Sequence, residues 1–338
     1  MVSTTRCFVI AEAGVNHNGS LDLAVRLVEG AAKAGADAVK FQTFSADALV
    51  GQGVEKAAYQ KASTGAGDQR SMLKALELSR EHHVVLAGRC KELGIEFMST
   101  PFDESALRFL ADLGIRRVKI ASGELTNKPF LEQAARVGLP LILSTGMGTS
   151  AEIAEALGWI RAAGSPPLTL LHCTSNYPAA FADVNLMAMR GMAQEFGLPV
   201  GYSDHTSGIT VSPVAVALGA SVIEKHFTLD RHMEGPDHAA SLELDELAAM
   251  VSAIRDVEAA LGDGIKAPRP SELPVRSLVR RSVAARRPLA AGRVLTRDDL
   301  AMLRPGTGIA PRDLESVIGR RLARDVAGGE ILHPADLQ

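Results

Sequence analysis

Eight short apolar runs, each separated from the next by a segment with helical periodicity, constrain this chain more than any other feature. The runs are CFVIAEAG (7–14), DAVKFQTF (37–44), EFMSTPF (96–102), RVKIASG (117–123), PLILSTGM (140–147), LTLLHCTS (168–175), VGYSDHT (200–206) and SVIEKHFT (221–228). Between them lie stretches such as LDLAVRLVEGAAKAGA and ESALRFLADLG, with apolar residues three and four apart and Gly35, Gly94 or Gly114 at the helix end. Strand and helix repeated eight times over about 260 residues is the period of a (β/α)8 barrel. Its parallel strands are covered on both faces, so they read as nearly continuous hydrophobic runs. A doubly wound open sheet is the competing arrangement, but no glycine-rich dinucleotide fingerprint follows the first run.

The 338 residues are 46% hydrophobic, enough for one large core and a smaller unit. The character changes after residue 262: GDGIKAPRPSELP carries three prolines and two glycines without apolar periodicity. The expected organisation is a barrel over 1–262, a linker over 263–275 and a small β-rich domain over 276–338. The arginines 276, 280, 281, 286 and 287 form a basic cluster there, which by itself reads as a solvated face. A net charge of −3 gives no footprint for nucleic acid or an anionic membrane. The N-terminus has no secretory pattern and no run is long enough to span a bilayer, so a cytoplasmic protein is expected. Cys7, Cys90 and Cys173 are isolated and odd in number, which suits small buried hydrophobes better than a disulfide framework.

In a barrel of this kind the active site forms at the C-terminal ends of the strands. Polar residues gather at that end of nearly every run: Glu12, Lys40 with Gln42, Ser99 and Thr100, Lys119 with Ser122 and Glu124, Ser144 and Thr145, His172 to Ser175, Ser203 to His205, and Glu224 to His226. One such residue is ordinarily a hydrogen-bonded strand end; the agreement of eight ends is harder to explain that way. His205 and His226 fall at equivalent positions on the last two runs, so both imidazoles can face one cavity. Two histidines without a thiolate do not make a closed zinc site. They suit a divalent ion that keeps water or substrate oxygens, Mn2+ before Mg2+. Lys40 and Lys119 lie inside apolar runs and need anionic partners. Those partners are either Glu12, Glu124 or Glu224, or a small polyanionic substrate ringed by the hydroxyls of Thr100, Ser122, Ser175 and Ser203. Without a nucleotide-binding loop, that substrate reads as a phosphorylated metabolite.

The motifs IAEAGVNHNGSLDLA, AVKFQTF, STPFDESAL, KIASGELTN, STGMGT, HCTSNYP, GYSDHTSGI, IEKHFTLD, GPDHAASLE and LRPGTGI, in this order from about residue 6 to the C-terminus, closely resemble the sialic acid synthase family, above all its bacterial N-acetylneuraminate-forming branch. The resemblance implies a barrel joined to an antifreeze-like (SAF) domain, in a domain-swapped homodimer. It implies condensation of phosphoenolpyruvate with N-acetylmannosamine to give N-acetylneuraminate and phosphate. By position it implies His205 and His226 as metal ligands; Lys40, Thr100, Lys119, Ser122, Ser175 and Ser203 around phosphoenolpyruvate; and Gln42, Tyr177 and Asp237 against the sugar. Arg304 would reach the N-acetyl group in the partner's site, and Glu12 and Glu124 would handle the water proton and stabilise positive charge. Glu224 and Lys225 would support the shell or pair structurally. Two positions depart from the family pattern: Ser175, followed by Asn176, and Ser63, both where relatives often carry Asn. The alternatives are a synthase for a related nine-carbon sugar such as N,N'-diacetyllegionaminate, another metal-dependent phosphoenolpyruvate enzyme acting on an aldose, and a non-catalytic sugar-binding relative. The retained Glu12, Glu124 and histidines sit badly with the last of these.

Overall fold

A computed structural model describes residues 6–56 and 58–338, and its eight parallel strands fall where the apolar runs lie. They are β1 Phe8–Gly14, β2 Ala38–Thr43, β3 Glu96–Pro101, β4 Val118–Ile120, β5 Leu141–Ser144, β6 Leu168–Cys173, β7 Val200–Asp204 and β8 Val222–His226. Their order in the sheet is β3-β2-β1-β8-β7-β6-β5-β4, the wrap of a (β/α)8 barrel. The hydrogen-bonded ladder is interrupted only between its two ends. There β3 and β4 lie side by side, and Arg117 donates to both carboxylate oxygens of Glu96 at 2.8 and 3.0 Å. The same guanidinium lies 4.2 Å from the centre of the Phe8 ring.

The helices start and stop for local reasons. Ser20 caps helix Leu21–Lys33 and Asp103 caps Glu104–Leu113, each through a side-chain oxygen that accepts a backbone N–H. Gly94 and Gly114 close their helices in the left-handed region, which an L side chain enters only at a cost. Between β2 and helix Arg80–Leu93 the described chain forms three further short helices, Ala46–Leu49, Ala58–Thr64 and Gln69–Lys74.

Strand alternation divides every run between two environments. Outward residues such as Val9, Ala11, Val39, Phe41, Ile120, Leu143 and Ile223 pack against the helices in the main core. Inward residues form a floor of Ile10, Ala38, Met98, Ile142, Leu171 and Val222. One residue pair further along, the inward positions become Glu12, Lys40, Thr100, Lys119, Ser203 and Glu224, all nearly inaccessible to solvent. Charge therefore begins one layer above the apolar floor, on the side where the strands end.

The chain divides between Asp263 and Gly264, and the helix Leu273–Val279 lies in the second unit, its first three residues within the segment expected as a linker. In that unit β9 Ser282–Ala285 pairs antiparallel with β10 Leu300–Leu303 around a small core that includes Val283, Leu295, Val317 and Leu322. Two turns in it are built alike, at 296–299 and 333–336, each with an aspartate that accepts the backbone N–H three residues before it. Among the described residues no helix is long and apolar enough to cross a membrane.

Candidate active site

Parallel register places the charged residues side by side at the barrel's C-terminal end. Glu12 lies opposite Lys40 on β2 and His226 on β8, while Ser203 lies opposite Glu224. Lys40 Nζ is 2.7 Å from Glu12 Oε2, donates to Thr100 Oγ1 at 2.8 Å, and sits 3.9 Å from Glu224 Oε1. Lys119 Nζ approaches the same Glu224 oxygen at 3.4 Å, and Ser203 Oγ donates to it at 3.3 Å. The lysines are thus balanced internally by Glu12 and Glu224, the first of the two partner sets expected for them.

The two carboxyls do not behave alike. Burial pushes Glu12 up to about 7; Lys40 opposes that shift and the charge of Glu224 adds to it. Burial also acts to raise Glu224, but Lys119 and Lys40 outweigh it and hold that carboxyl below the usual range. Burial works against the Lys40 ammonium, but Glu12 and Glu224 outweigh it and raise its pKa, so Lys40, which also faces Thr100, is the fixed charge of the pair. Lys119 is lowered by burial, with Glu224 opposing and Lys40 reinforcing the shift.

A hydroxyl cradle lies on the next strands. Ser122 Oγ accepts the Gly146 N–H at 3.0 Å and lies 3.2 Å from Cys173 Sγ. Gly146 has no room for a side chain: a Cβ there would stand 2.3 Å from Ser175 Oγ, 2.8 Å from Ser122 Oγ and 2.9 Å from Cys173 Sγ. Ser175 thus turns its hydroxyl towards the cradle, while Asn176 is exposed. Glycine at 146 and the inward thiol were not singled out as site residues by pattern alone; the GMG of STGMGT was the available signal.

The imidazoles come together as the spacing predicts, with ring centres of His205 and His226 5.8 Å apart. Tyr177 packs on both, 4.2 Å from His205 and 5.6 Å from His226 between ring centres. His205 Nδ1 donates to the Thr174 carbonyl at 2.7 Å, which leaves Nε2 as the lone-pair nitrogen, 3.2 Å from Ser203 Oγ. His226 Nδ1 is buried without a hydrogen-bond partner, 3.9 Å from Asp237 Oδ2. Burial lowers the pKa of both histidines, so both are neutral near pH 7 and able to ligate. Burial pushes Asp237 up to about 6. Among the described residues no three His, Cys, Asp or Glu side chains are arranged as a complete metal set. Two neutral imidazoles facing one another would suit an ion that takes water or substrate oxygens as its other ligands.

Gln42 borders this cluster, with Nε2 3.5 Å from Glu12 Oε1. Glu124 occupies the turn after β4, where its carboxylate accepts from Asn127 Nδ2 at 2.6 Å at the head of helix Lys128–Arg136. Arg304 is exposed just beyond β10 in the second unit. Ser63, in helix Ala58–Thr64, directs its hydroxyl to the Gln60 carbonyl at 3.3 Å.

Comparison with known proteins adds to this geometry. The NeuB family model matches residues 27–266, and a SAF domain model matches residues 280–338. The chain is 53% identical over 335 residues to N,N'-diacetyllegionaminic acid synthase of Legionella pneumophila, covering 98% of this chain and 94% of that protein. It is 44% identical to the protein of the same name from Campylobacter jejuni, covering 97% and 99% respectively. Among solved structures it is similar to the N-acetylneuraminic acid (sialic acid) synthetase of Leptospira borgpetersenii in complex with citrate, with a TM-score of 0.73, 37% identity, and coverage of 81% of this chain and 91% of that one.

Proposed function

Since the chain belongs to the NeuB family, we propose that it condenses phosphoenolpyruvate with a 2,4-diacetamido-2,4,6-trideoxyhexose to form N,N'-diacetyllegionaminate and phosphate. The observation that carries the choice of acceptor is the 53% identity, over nearly the whole chain, to the Legionella synthase of that product. This reverses the preference drawn from the motifs alone, which favoured N-acetylmannosamine. N-acetylneuraminate synthesis is the second reading, favoured by the likeness to the Leptospira synthetase.

The chemistry asks for groups that this site possesses. Lys40, Lys119 and the hydroxyls of Thr100, Ser122, Ser175 and Ser203 hold the carboxylate and phosphate of phosphoenolpyruvate, and this electrostatic complement is the largest contribution to catalysis. His205 and His226 hold a divalent ion, Mn2+ or Mg2+, which when bound supplies Lewis acidity at the sugar's aldehyde oxygen and a fixed orientation for it. Carbon 3 of phosphoenolpyruvate attacks the aldehyde carbon of the open-chain sugar, and the aldehyde oxygen becomes a hydroxyl. Water adds at carbon 2, and the tetrahedral intermediate collapses with departure of phosphate. Of the two candidate carboxyls, Glu12 is the better proton carrier, because its pKa is raised to about 7 and it lies opposite Lys40 and His226. Glu124 holds Asn127 and stabilises charge from the rim. Gln42, Tyr177 and Asp237 contact the sugar, and Arg304 of a second copy, in a domain-swapped homodimer, contacts an N-acetyl group.

Phosphate release from phosphoenolpyruvate in the presence of Mn2+ tests the proposal, with 2,4-diacetamido-2,4,6-trideoxymannose and N-acetylmannosamine compared in parallel. A higher kcat/KM for the first sugar is expected. Preference for the second would replace the acceptor and keep the mechanism; no release with either would remove the proposed reaction.

A further inference from the structure

Strand alternation sends Glu224 and His226 into the barrel and Lys225 to its outer wall, where the neighbouring wall positions are Ala, Val, Ile and Tyr. Lys225 lies opposite Asp204 across the β7–β8 ladder, and Nζ is 3.1 Å from Asp204 Oδ2, with side chains 1% and 0% exposed. Both members of the pair make further hydrogen bonds. Asp204 Oδ1 accepts the Thr206 N–H at 2.9 Å and the Thr206 hydroxyl at 2.7 Å, Oδ2 accepts Ser212 Oγ at 2.7 Å, and Lys225 Nζ donates to the Thr206 carbonyl.

Each partner is the immediate chain neighbour of one imidazole: Asp204 precedes His205 and Lys225 precedes His226. The bonds of Asp204 and Lys225 to both backbone groups of Thr206 fix the turn 204–206, at whose centre His205 points inward. The same ammonium ties that turn to β8 one residue before His226. We propose that the buried Lys225–Asp204 pair is a positioning device that sets the separation and orientation of His205 and His226 from behind the barrel wall, touching neither substrate nor metal.

The ion pair itself is not what stability requires: an apolar pair of similar volume is often neutral where no other group depends on the charges, whereas removing one partner strands the other charge. Here the Thr206 N–H, hydroxyl and carbonyl and the Ser212 hydroxyl would also lose a partner. What an apolar pair lacks is direction: it cannot hold the Thr206 N–H and carbonyl in one geometry. A double apolar replacement therefore lowers stability under either role; a fold-only role predicts that the two imidazoles keep their geometry in the variant that still folds, and positioning predicts that they lose it.

The metal arm of the test rests on the proposed ion at His205 and His226; the imidazole arm does not. Full-length protein carrying Lys225→Met with Asp204→Leu is compared with the parent by three measurements: thermal melting, titration of free Mn2+ by its electron paramagnetic resonance signal without substrate, and long-range 1H–15N spectra of 15N-histidine-labelled, metal-free protein. The expected result is a lower melting temperature with a cooperative transition retained, Mn2+ affinity at least 10-fold weaker, and loss of the single Nδ1–H tautomer of His205. Affinity within twofold of the parent together with an unchanged tautomer would overturn the proposal. If the parent itself binds no Mn2+, the metal reading fails and the tautomer alone decides. Should the double variant not fold, Thr206→Val and Ser212→Ala, which each delete one bond to Asp204, take its place. A loss of about three- to tenfold in affinity or a shifted His205 tautomer supports positioning, and parental values of both in both variants overturn it.

Discussion

The barrel and the second unit each bury carboxylates beside cations, and they treat them differently. Asp299 and Asp336 of the second unit each close a turn by accepting the backbone N–H three residues earlier, from Thr296 at 3.1 Å and His333 at 2.8 Å. Asp299 also pairs with Arg287 and Arg293, and Asp336 with Arg324. The Arg287 bond leads the causes that hold Asp299 below the usual carboxylate range; for Asp336 burial acts upward but the His333 amide and Arg324 outweigh it. In the barrel, by contrast, two carboxyls share two lysines, one pushed up and the other down, while Glu224 Oε2 and His226 Nδ1 remain buried without hydrogen bonds. Satisfied carboxylates hold a fold together. Polar atoms left waiting inside a cavity indicate a ligand that completes them.

That contrast is best broken from the barrel side. Glu224→Gln removes the charge that both lysines share, and kcat/KM should fall about 10³-fold while the barrel loses about 3 kcal/mol. Parental turnover in that variant would show that Glu224 is merely structural, like Asp299. Gly146→Ala should cost about 10²-fold in kcat/KM for phosphoenolpyruvate and lower the melting temperature, because the new methyl would overlap Ser175 Oγ, Ser122 Oγ and Cys173 Sγ and push the hydroxyls out of place. An unchanged KM would place the anion elsewhere.

In the second unit, Asp299→Asn should cost about 2 kcal/mol of that unit's stability. Hydrogen exchange should show faster opening around β9 and β10, with the barrel amides unaffected. Equal loosening of both units would contradict their independence as folded bodies.

The smallest effect is one of slope. Glu12 binds its proton more tightly folded than unfolded, so its contribution to stability is greatest below about 4.5 and declines as pH rises towards about 7. Asp299, whose folded pKa is depressed, contributes fully above its unfolded value of 3.8 and loses that contribution as the pH falls further. Chemical denaturation across pH should therefore give opposite slopes in the two units, and Glu12→Gln should flatten the barrel's slope between pH 4.5 and 7. A barrel slope that survives Glu12→Gln would assign the titration to another group.

Much of the barrel could be read directly. The run at 96–102 became Glu96–Pro101 and the run at 221–228 became Val222–His226, because strands covered on both faces need hydrophobic residues at nearly every position. The run at 117–123 shortened to Val118–Ile120, since Ser122–Glu124 turns into a 3-10 helix that the apolar pattern does not announce. The three short helices between β2 and Arg80 had no periodicity long enough to reveal them. His205, His226, Lys40 and Lys119 stood out because ionisable groups inside apolar runs demand an explanation. Gly146 did not, because a glycine's value there depends on three side chains from elsewhere in the chain.

The triplet Glu224-Lys225-His226 shows where each kind of information ends. Sequence by itself determined that these three residues close the last strand, that the strand is buried, and that successive side chains must face opposite ways. It could not determine which face was which, since a one-residue shift of register would exchange every role. Tertiary structure decided that: the register of β8 against β1 and β7 turned Glu224 and His226 towards Lys119, Lys40 and His205, and Lys225 towards Asp204. The physical reason is that burying a charge is tolerable only beside a partner, and the partners are brought within reach only by the closing of the barrel.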